Sequence, residues 1–243
     1  MQNILNFFTT NSRSANFKTF GQVHLFILFV AVIISIYIYK RCKENRKLEL
    51  FIGSVLVLQQ ISLYSWYIIG GFNTIKEGLP LYHCRVAIIC VGLGLVLNKN
   101  ILMKIGSYVG IFGAIGALLF PNLDPFTFPH ITQFSFFIGH LFLLWGSVYL
   151  LMIKKVGMSK DDLKDSLIYI NIYHVLMFIL NNSVHSNYGY MSAPPFYIGV
   201  DLHPLLNGSL VMIIFSVILL TEYIFINNLK VSKEDSNEYS LVQ

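Results

Sequence analysis

The chain has 243 residues, of which 55% are hydrophobic and only 12% are charged. Soluble domains carry about 25% charged residues, so this composition excludes an ordinary soluble protein and predicts an all-α, polytopic membrane protein. The net charge of +5 does not indicate nucleic-acid binding, because the basic residues lie in short loops. Three cysteines give no disulfide framework.

Apolar runs of the length that a membrane-spanning helix needs, about 20 residues, occur seven times along the chain. In chain order they are 24–39, 48–71, 79–98, 101–121, 131–153, 166–184 and 205–228. We therefore predict a single domain of seven transmembrane helices over residues 1–228. The polar segment 229–243 is predicted to be a disordered cytoplasmic tail.

The distribution of lysine and arginine between the loops predicts the orientation of the helices. Thirteen of the 17 basic residues fall on one side of the predicted membrane, three fall on the other, and Arg85 lies within it. Because loops rich in lysine and arginine stay in the cytoplasm, we expect the N-terminus outside the cell membrane and the C-terminus inside.

Polar residues cluster at one depth of the predicted bundle, and all seven histidines fall on its outer side or in its outer half. Such residues normally face the bundle interior or a water-filled cavity. We therefore expect a polar cavity that opens outward beneath the loops 120–134 and 181–204. At a rise of about 1.5 Å per residue, the residues at this depth are Gln60, Cys84, Arg85, His140 and His174.

The predicted helix 101–121 carries four glycines on one stripe. Small residues allow membrane helices to approach closely, so this stripe is expected to pack against a neighbouring helix. The four glycines are Gly106, Gly110, Gly113 and Gly116.

Cys84 is the candidate nucleophile. A thiolate is a strong nucleophile that nearby positive charge favours, and Arg85 follows it directly in the sequence. A histidine from another helix would act as the base, and His140 is the best placed by depth. A cysteine and a histidine together suffice for acyl transfer through a thioester. The alternative is that Cys84 is an ordinary small core residue.

The other polar residues have alternative roles as well. The guanidinium of Arg85 would bind a lipid phosphate through its two-pronged donor geometry, or it would form an ion pair in the outer loops. The candidate partners for that ion pair are Glu77, Asp124 and Asp201. His140 and His174 would otherwise hydrogen-bond to neighbouring helices, and backbone amides or Gln60 would stabilise an oxyanion.

Two other classes of function use the same residues. The outward cavity would also serve a small-molecule transporter or receptor, although the sequence shows no inverted repeat or broken helix. A zinc-dependent membrane hydrolase would use Asp201 and His203 with a third histidine, but no His-x-x-x-His spacing supports it. We expect no metal or cofactor, and the expected partner is a membrane lipid.

Three blocks of the sequence resemble one family of membrane proteins. They are "LPLYHC" at 79–84, "LFPNL…FPHITQFSFFIGHLFLL" at 119–144 and "NIYHVLMF…SNYGYMSAPP" at 171–195. In this order they are similar to blocks of the YwaF family of bacterial integral membrane proteins. That family resembles transmembrane protein 164, an acyltransferase that acts on ether phospholipids.

The resemblance implies roles for particular residues. Cys84, which closes the first block, corresponds to the nucleophile that carries the acyl group, and His140 corresponds to the base. Other residues that match the blocks are expected to contact the substrate. They are His130, Gln133, Asn187 and Tyr188.

The chain also departs from the family pattern. Tyr82 and His83 precede Cys84 where His-Leu is expected, and Ala193 stands where a lysine is expected. The resemblance and the residues together predict acyl transfer on a phospholipid or another lipid, through a thioester of Cys84, in the outer half of the membrane.

Overall fold

The described part of the chain contains seven long helices and no strand. The computed structural model describes residues 7–10, 16–72, 75–195, 199 and 201–240. In chain order the helices are α1 (Gln22–Arg41), α2 (Arg46–Gly70), α3 (His83–Leu97), α4 (Asn100–Leu119), α5 (Ile131–Val148), α6 (Lys160–Val184) and α7 (Pro204–Ser240). A π-helical turn over Tyr149–Ile153 extends α5, and a short 3-10 helix lies at Tyr188–Tyr190. Each long helix coincides with one predicted span, so the all-helical fold is confirmed.

The third helix is shorter than predicted. Six helices are long and apolar enough to cross a membrane, whereas α3 has only 15 residues. At about 1.5 Å per residue it is about 22 Å long, less than the hydrocarbon thickness of about 30 Å. The predicted span 79–98 placed its start at Leu79, but Pro80 disfavours helical geometry at the preceding residue, and α3 begins at His83.

The last helix is longer than predicted. The backbone of α7 is helical through Ser240, whereas the sequence predicts disorder from residue 229. Residues 229–240 contain no glycine or proline, the two residue types least compatible with a helix, and they continue directly from an apolar span. Residues 241–243 of the predicted tail lie outside the described residues.

The central position of α3 organises the bundle. α3 packs against α2 and α4, α5 packs against both of those helices, and α1 covers α5. α6 and α7 form a hairpin that packs mainly on itself. The end of the bundle at which α3 begins is termed the cavity end, and the opposite end, which carries Lys99 and Lys154, is termed the basic end.

A buried glutamate joins three helices at the basic end. The carboxylate of Glu49 pairs with Lys154 at 2.7 Å and with Arg46 at 3.1 Å, and it accepts a hydrogen bond from Tyr149. Arg46 also donates to the carbonyl oxygen of Leu95, near the end of α3. Two cations that the sequence assigned to loops therefore hold α2, α3 and α5 together.

Two of the four glycines on the α4 stripe lie at tight helix contacts. A Cβ atom at Gly106 would lie 2.6 Å from the backbone nitrogen of Val91. One at Gly110 would lie 2.7 Å from Leu143. Gly113 and Gly116 have no such neighbour within 4 Å in the described part of the chain. The packing prediction is therefore right for the first two glycines and wrong for the others, because only half of the stripe faces α3 and α5.

We expect Gly106→Ala to destabilise the bundle by about 1–3 kcal/mol, because the new methyl group would push α4 away from the α3 backbone. The same substitution at Gly113 meets no neighbour, and it should be neutral or stabilise α4 by up to about 1 kcal/mol. Thermal unfolding of both variants in detergent measures the difference. Equal melting temperatures would show that α3 and α4 are not in close contact at Gly106.

Candidate functional site

A polar cavity of about 280 Å³ lies between α2, α3 and α5 at the cavity end, against the loop that joins α4 to α5. The predicted polar cavity is thus present, while the side of the membrane to which it opens stays a prediction. The wall residues that matter for its chemistry are Gln60, Tyr67, Cys84, Arg85, Asp124 and His140.

Cys84 is the second residue of α3 and lines this cavity. The first amide groups of a helix have no partner within it, and the N-cap residue Tyr82 supplies no side-chain hydrogen bond. Cys84 and Arg85 are the second and third residues of α3, so their backbone amides are among these unpartnered groups. The late start of α3 therefore places the thiol at the positive end of a helix dipole, which the sequence did not predict.

His140 reaches the same cavity from α5 and is buried. Its Nδ1 lies 2.7 Å from the carbonyl oxygen of Phe136, which can only accept a hydrogen bond. Nδ1 therefore carries the hydrogen, and in the neutral ring Nε2 carries the lone pair. Nε2 has no hydrogen-bond partner among the described residues. The structure thus brings Cys84 together with a histidine whose basic nitrogen is unoccupied.

The guanidinium of Arg85 is held by the chain segments around it. Nη1 donates to the carbonyl oxygens of Glu77 and Leu79, and Nη2 donates to the hydroxyl of Tyr67 at 3.0 Å. That hydroxyl donates in turn to the carboxylate of Asp124 at 3.0 Å. Within the described residues Arg85 forms no direct ion pair, so Tyr67 bridges it to the predicted partner Asp124.

Two aromatic rings also fix the position of Arg85. Its Cζ lies 5.2 Å from the ring centroids of both Tyr67 and Tyr82, a distance at which a cation is attracted to the face of a ring. Three of its five N–H donors are used by the contacts above. The charge therefore stays at the cavity wall in a fixed position.

A chain of side-chain hydrogen bonds orients Gln60. Its Nε2 donates to Oε1 of Gln59 at 2.8 Å, and Gln59 donates to Ser135. The Oε1 atom of Gln60 is left without a partner among the described residues. Gln60 therefore has an unpaired acceptor oxygen, and its Nε2 keeps one N–H that the bond to Gln59 does not use. This N–H and the first-turn amides of α3 are both available to stabilise an oxyanion.

The remaining predicted binding residues lie outside the wall of the cavity. His130 caps α5, and its Nε2 bonds to the carbonyl oxygen of Thr9 at 3.0 Å. Gln133 donates to the carbonyl oxygen of Phe126 at 2.8 Å. Both residues thus hold the loop between α4 and α5 in place.

Asn187 and Tyr188 hold the loop between α6 and α7. The amide of Asn187 donates to the carbonyl oxygen of Ala193 at 2.8 Å. The hydroxyl of Tyr188 donates to the carbonyl oxygen of Ile75 at 2.6 Å and accepts from the amide of Leu79 at 3.0 Å. Tyr188 therefore ties this loop to the segment that precedes α3.

His174 is buried on the other side of α3 from the polar cavity. Its Nε2 lies 2.7 Å from Nε2 of His83, and the ring of Phe215 stacks on His83 at 3.9 Å. The sequence placed His174 at the depth of Cys84, but depth does not reveal which helix a residue faces. His174 therefore does not join the cavity with His140.

Two polar residues of interest were not predicted from the sequence. Tyr67 makes the hydrogen bonds that position Arg85, and only its place in an apolar run marked it. Glu222 is buried in α7 with neither carboxylate oxygen hydrogen-bonded to the described residues. An acidic residue within the last apolar run was the available signal for it.

The zinc alternative needs at least three ligands at one point. In the part of the chain that the structure describes, no group of three or more His, Cys, Asp or Glu residues is arranged to hold a metal ion. Asp201 and His203 are exposed, whereas His140 and His174 are buried.

A comparison with family models identifies the chain. The model of the TMEM164 family matches residues 19–227, which is most of the sequence. The chain belongs to the TMEM164 family, in agreement with the resemblance carried by its three sequence blocks. Comparisons with curated proteins and with solved structures give no match. Family membership and six apolar spans make it a multi-pass membrane protein.

Asp124 lies in the loop between α4 and α5, outside the spanning helices. Burial raises the pKa of its carboxyl above the ordinary 3.8, although the charge of Arg85 and the hydrogen bond from Tyr67 oppose this shift. A raised pKa in the folded state means that the folded protein binds the proton more tightly than the unfolded chain. The resulting stabilisation is complete below the ordinary pKa and is lost as pH rises through the raised value.

We expect the difference in melting temperature, wild type minus Asp124→Asn, to fall as pH rises above about 4. The asparagine keeps an oxygen for the Tyr67 hydroxyl but does not titrate. Thermal unfolding of both proteins in detergent across this range gives the difference. A difference that is constant with pH would show that Asp124 has the same pKa in the folded and unfolded states.

Proposed function

We propose that the protein is a membrane-embedded acyltransferase that carries the acyl group of a phospholipid or another lipid as a thioester on Cys84. One observation supports this most directly. Cys84, in the first turn of α3, lines the same cavity as His140, whose Nε2 is unoccupied. A thiol and an unprotonated imidazole nitrogen are the minimal pair for this chemistry.

The first half-reaction forms the thioester. The Cys84 sulfur attacks the carbonyl carbon of a lipid ester while its proton passes to Nε2 of His140. The tetrahedral intermediate then collapses, the bond from carbon to the ester oxygen breaks, and His140 returns the proton to the departing oxygen. The products are an acylated Cys84 and a lipid with a free hydroxyl group.

The second half-reaction reverses these steps with another lipid. A hydroxyl group of the acceptor attacks the thioester carbonyl, its proton passes to Nε2 of His140, and the sulfur leaves and recovers the proton. The hydrogen bond that Nδ1 of His140 donates to the Phe136 carbonyl supports both steps, because it fixes the tautomer in which Nε2 accepts the proton.

The start of α3 supplies the stabilisation that the intermediates need. Negative charge that develops on a carbonyl oxygen is stabilised by preorganised N–H donors, and the backbone amides of Cys84 and Arg85 lie in the same first turn of α3 as the nucleophile. The fixed guanidinium of Arg85 favours negative charge in the cavity and attracts a lipid phosphate. We propose that Arg85 orients the headgroup and that the reaction takes place in the outer half of the plasma membrane.

Acyl capture tests this proposal. Purified protein is reconstituted with phospholipid that carries an alkyne-tagged acyl chain, and the hydroxylamine-sensitive label on the protein is measured. The label should vanish in Cys84→Ala and persist in Cys90→Ala, which removes a thiol on the same helix that does not line the cavity. Label on Cys84→Ala equal to that on the wild type would refute the thioester at Cys84.

His140→Asn separates the role of the base from the role in packing. The asparagine amide can replace Nδ1 as the donor to the Phe136 carbonyl, but it offers no basic nitrogen. We expect the rate of labelling to fall by about 10²–10⁴-fold while the melting temperature stays near that of the wild type. An unchanged rate in a folded variant would remove His140 from the mechanism. Uptake of a solute into liposomes without covalent labelling of the protein would instead favour the transporter alternative.

A further inference from the structure

A second cavity lies on the other face of α3. It has a volume of about 190 Å³ and is enclosed by α3, α4, α6 and α7. Its wall contains no lysine, arginine, aspartate or glutamate, in contrast to the polar cavity. Residues that define its length and openings are His83, Ile105, Val109, Ser166, Tyr169 and Tyr173.

The apolar cavity follows the length of the helices. On α6 it extends from Tyr173 to Ser166, a distance of about 10 Å along the helix axis, and Met158 lines it near the basic end. Because these helices cross the membrane, the cavity runs in the direction in which acyl chains lie in a bilayer.

The side of this cavity is accessible from the surrounding hydrocarbon. Two residues of its rim, Tyr169 and Ile105, are 67% and 38% exposed, and both lie within helices that are apolar enough to span a membrane. At this depth the medium against such surfaces is lipid. A hydrocarbon chain can therefore reach the cavity without crossing polar surface.

The wall of the apolar cavity also adjoins the candidate nucleophile. His83 lines this cavity and directly precedes Cys84, which lines the polar one. Tyr173 lines the apolar cavity, donates to the carbonyl oxygen of Leu81 and packs in the same side-chain cluster as Cys84. The start of α3 thus separates a polar compartment from an apolar one, and the thiol lies on the polar side, one residue from the apolar wall.

From this arrangement we infer that the apolar cavity binds the hydrocarbon chain of the acyl group carried on Cys84 and limits its length. The inference rests on the proposed function for the thioester, but the cavity, its direction and its opening are independent observations. The two parts of an acyl thioester match the two compartments, because the carbonyl needs the polar donors at the start of α3 and the chain needs an apolar wall.

Substitution at the far end of the cavity tests the limit on chain length. Wild-type protein receives an equal mixture of phospholipids that carry octanoyl and hexadecanoyl chains, and mass spectrometry of the Cys84 peptide gives the ratio of the two thioesters. In Ser166→Trp the hexadecanoyl-to-octanoyl ratio should fall at least tenfold, since a pocket that lacks room for even one methylene discriminates by about 10-fold or more. Ser166→Leu should give a smaller shift in the same direction.

Ile168→Trp is the matched control. It places the same tryptophan side chain two residues further along α6, at a position that is 46% exposed and does not line the cavity. Its thioester ratio should equal that of the wild type. An unchanged ratio in both Ser166 variants, or an equal shift in Ile168→Trp, would overturn the inference. Absence of any thioester in the wild type would instead refute the proposed function.

A second measurement does not depend on catalysis. Cys84→Ala protein is irradiated with a phospholipid that carries a diazirine on one acyl chain, and the cross-linked peptides are identified by mass spectrometry. Cross-links to Val109, Ser166 or Tyr173 that decline in Ser166→Trp are expected. Cross-links confined to exposed positions such as Ile168 would overturn the inference. This outcome is independent of whether the wild-type protein forms the thioester.

Discussion

A positive charge at the start of a helix within the bundle constrains the whole cavity end of this protein. A guanidinium within a membrane-spanning segment is costly unless acceptors surround it. For Arg85 these acceptors are two backbone carbonyls of the segment before α3 and the hydroxyl of Tyr67, which is in turn bonded to Asp124. The loop before α3, the end of α2 and the loop after α4 must therefore meet at one point, and the polar cavity is the space that they enclose.

The same constraint explains the two different faces of α3. One face carries Cys84 and Arg85 toward a cavity with unpaired polar groups on α2 and α5. The face about 100° away, which carries His83, meets the hairpin of α6 and α7 across an apolar cavity. A lipid substrate has the same division between a polar head and an apolar chain. The proposed chemistry places the reacting ester where the two faces meet.

The sequence was sufficient to predict the helices but not which helices pack against one another. Apolar runs identified all seven helices, because hydrocarbon requires long apolar segments with internal hydrogen bonds. Depth along each run also predicted that Cys84, Arg85, Gln60 and His140 meet. It failed for His174, since residues at equal depth on α5 and α6 face different partners, and a single sequence does not specify which helices are adjacent.

The local geometry of the site also could not be predicted from the sequence. The effect of Pro80 on the start of α3 moved Cys84 from a helix interior to a first turn, where the backbone amides have no partner within the helix and are available as oxyanion donors. The orientation of the Gln60 amide depended on Gln59 and Ser135, which no spacing rule connects. Arg46 and Lys154 were interpreted as loop charges, although their partner Glu49 is an acidic residue within an apolar run.

The length of α3 also has a consequence for how a lipid meets the protein. A helix of 15 residues is several ångströms shorter than the hydrocarbon layer, whereas its neighbours α2, α4 and α5 are longer. The polar cavity lies at the start of α3, so a phosphate headgroup can enter it while the longer helices still span the bilayer. A phospholipid that diffuses sideways along the protein would present its ester bonds to Cys84 while its chains remain among other chains. Under the proposed chemistry, a lipid could be remodelled without being extracted from the membrane, and the free-energy barrier of extraction would not limit the rate.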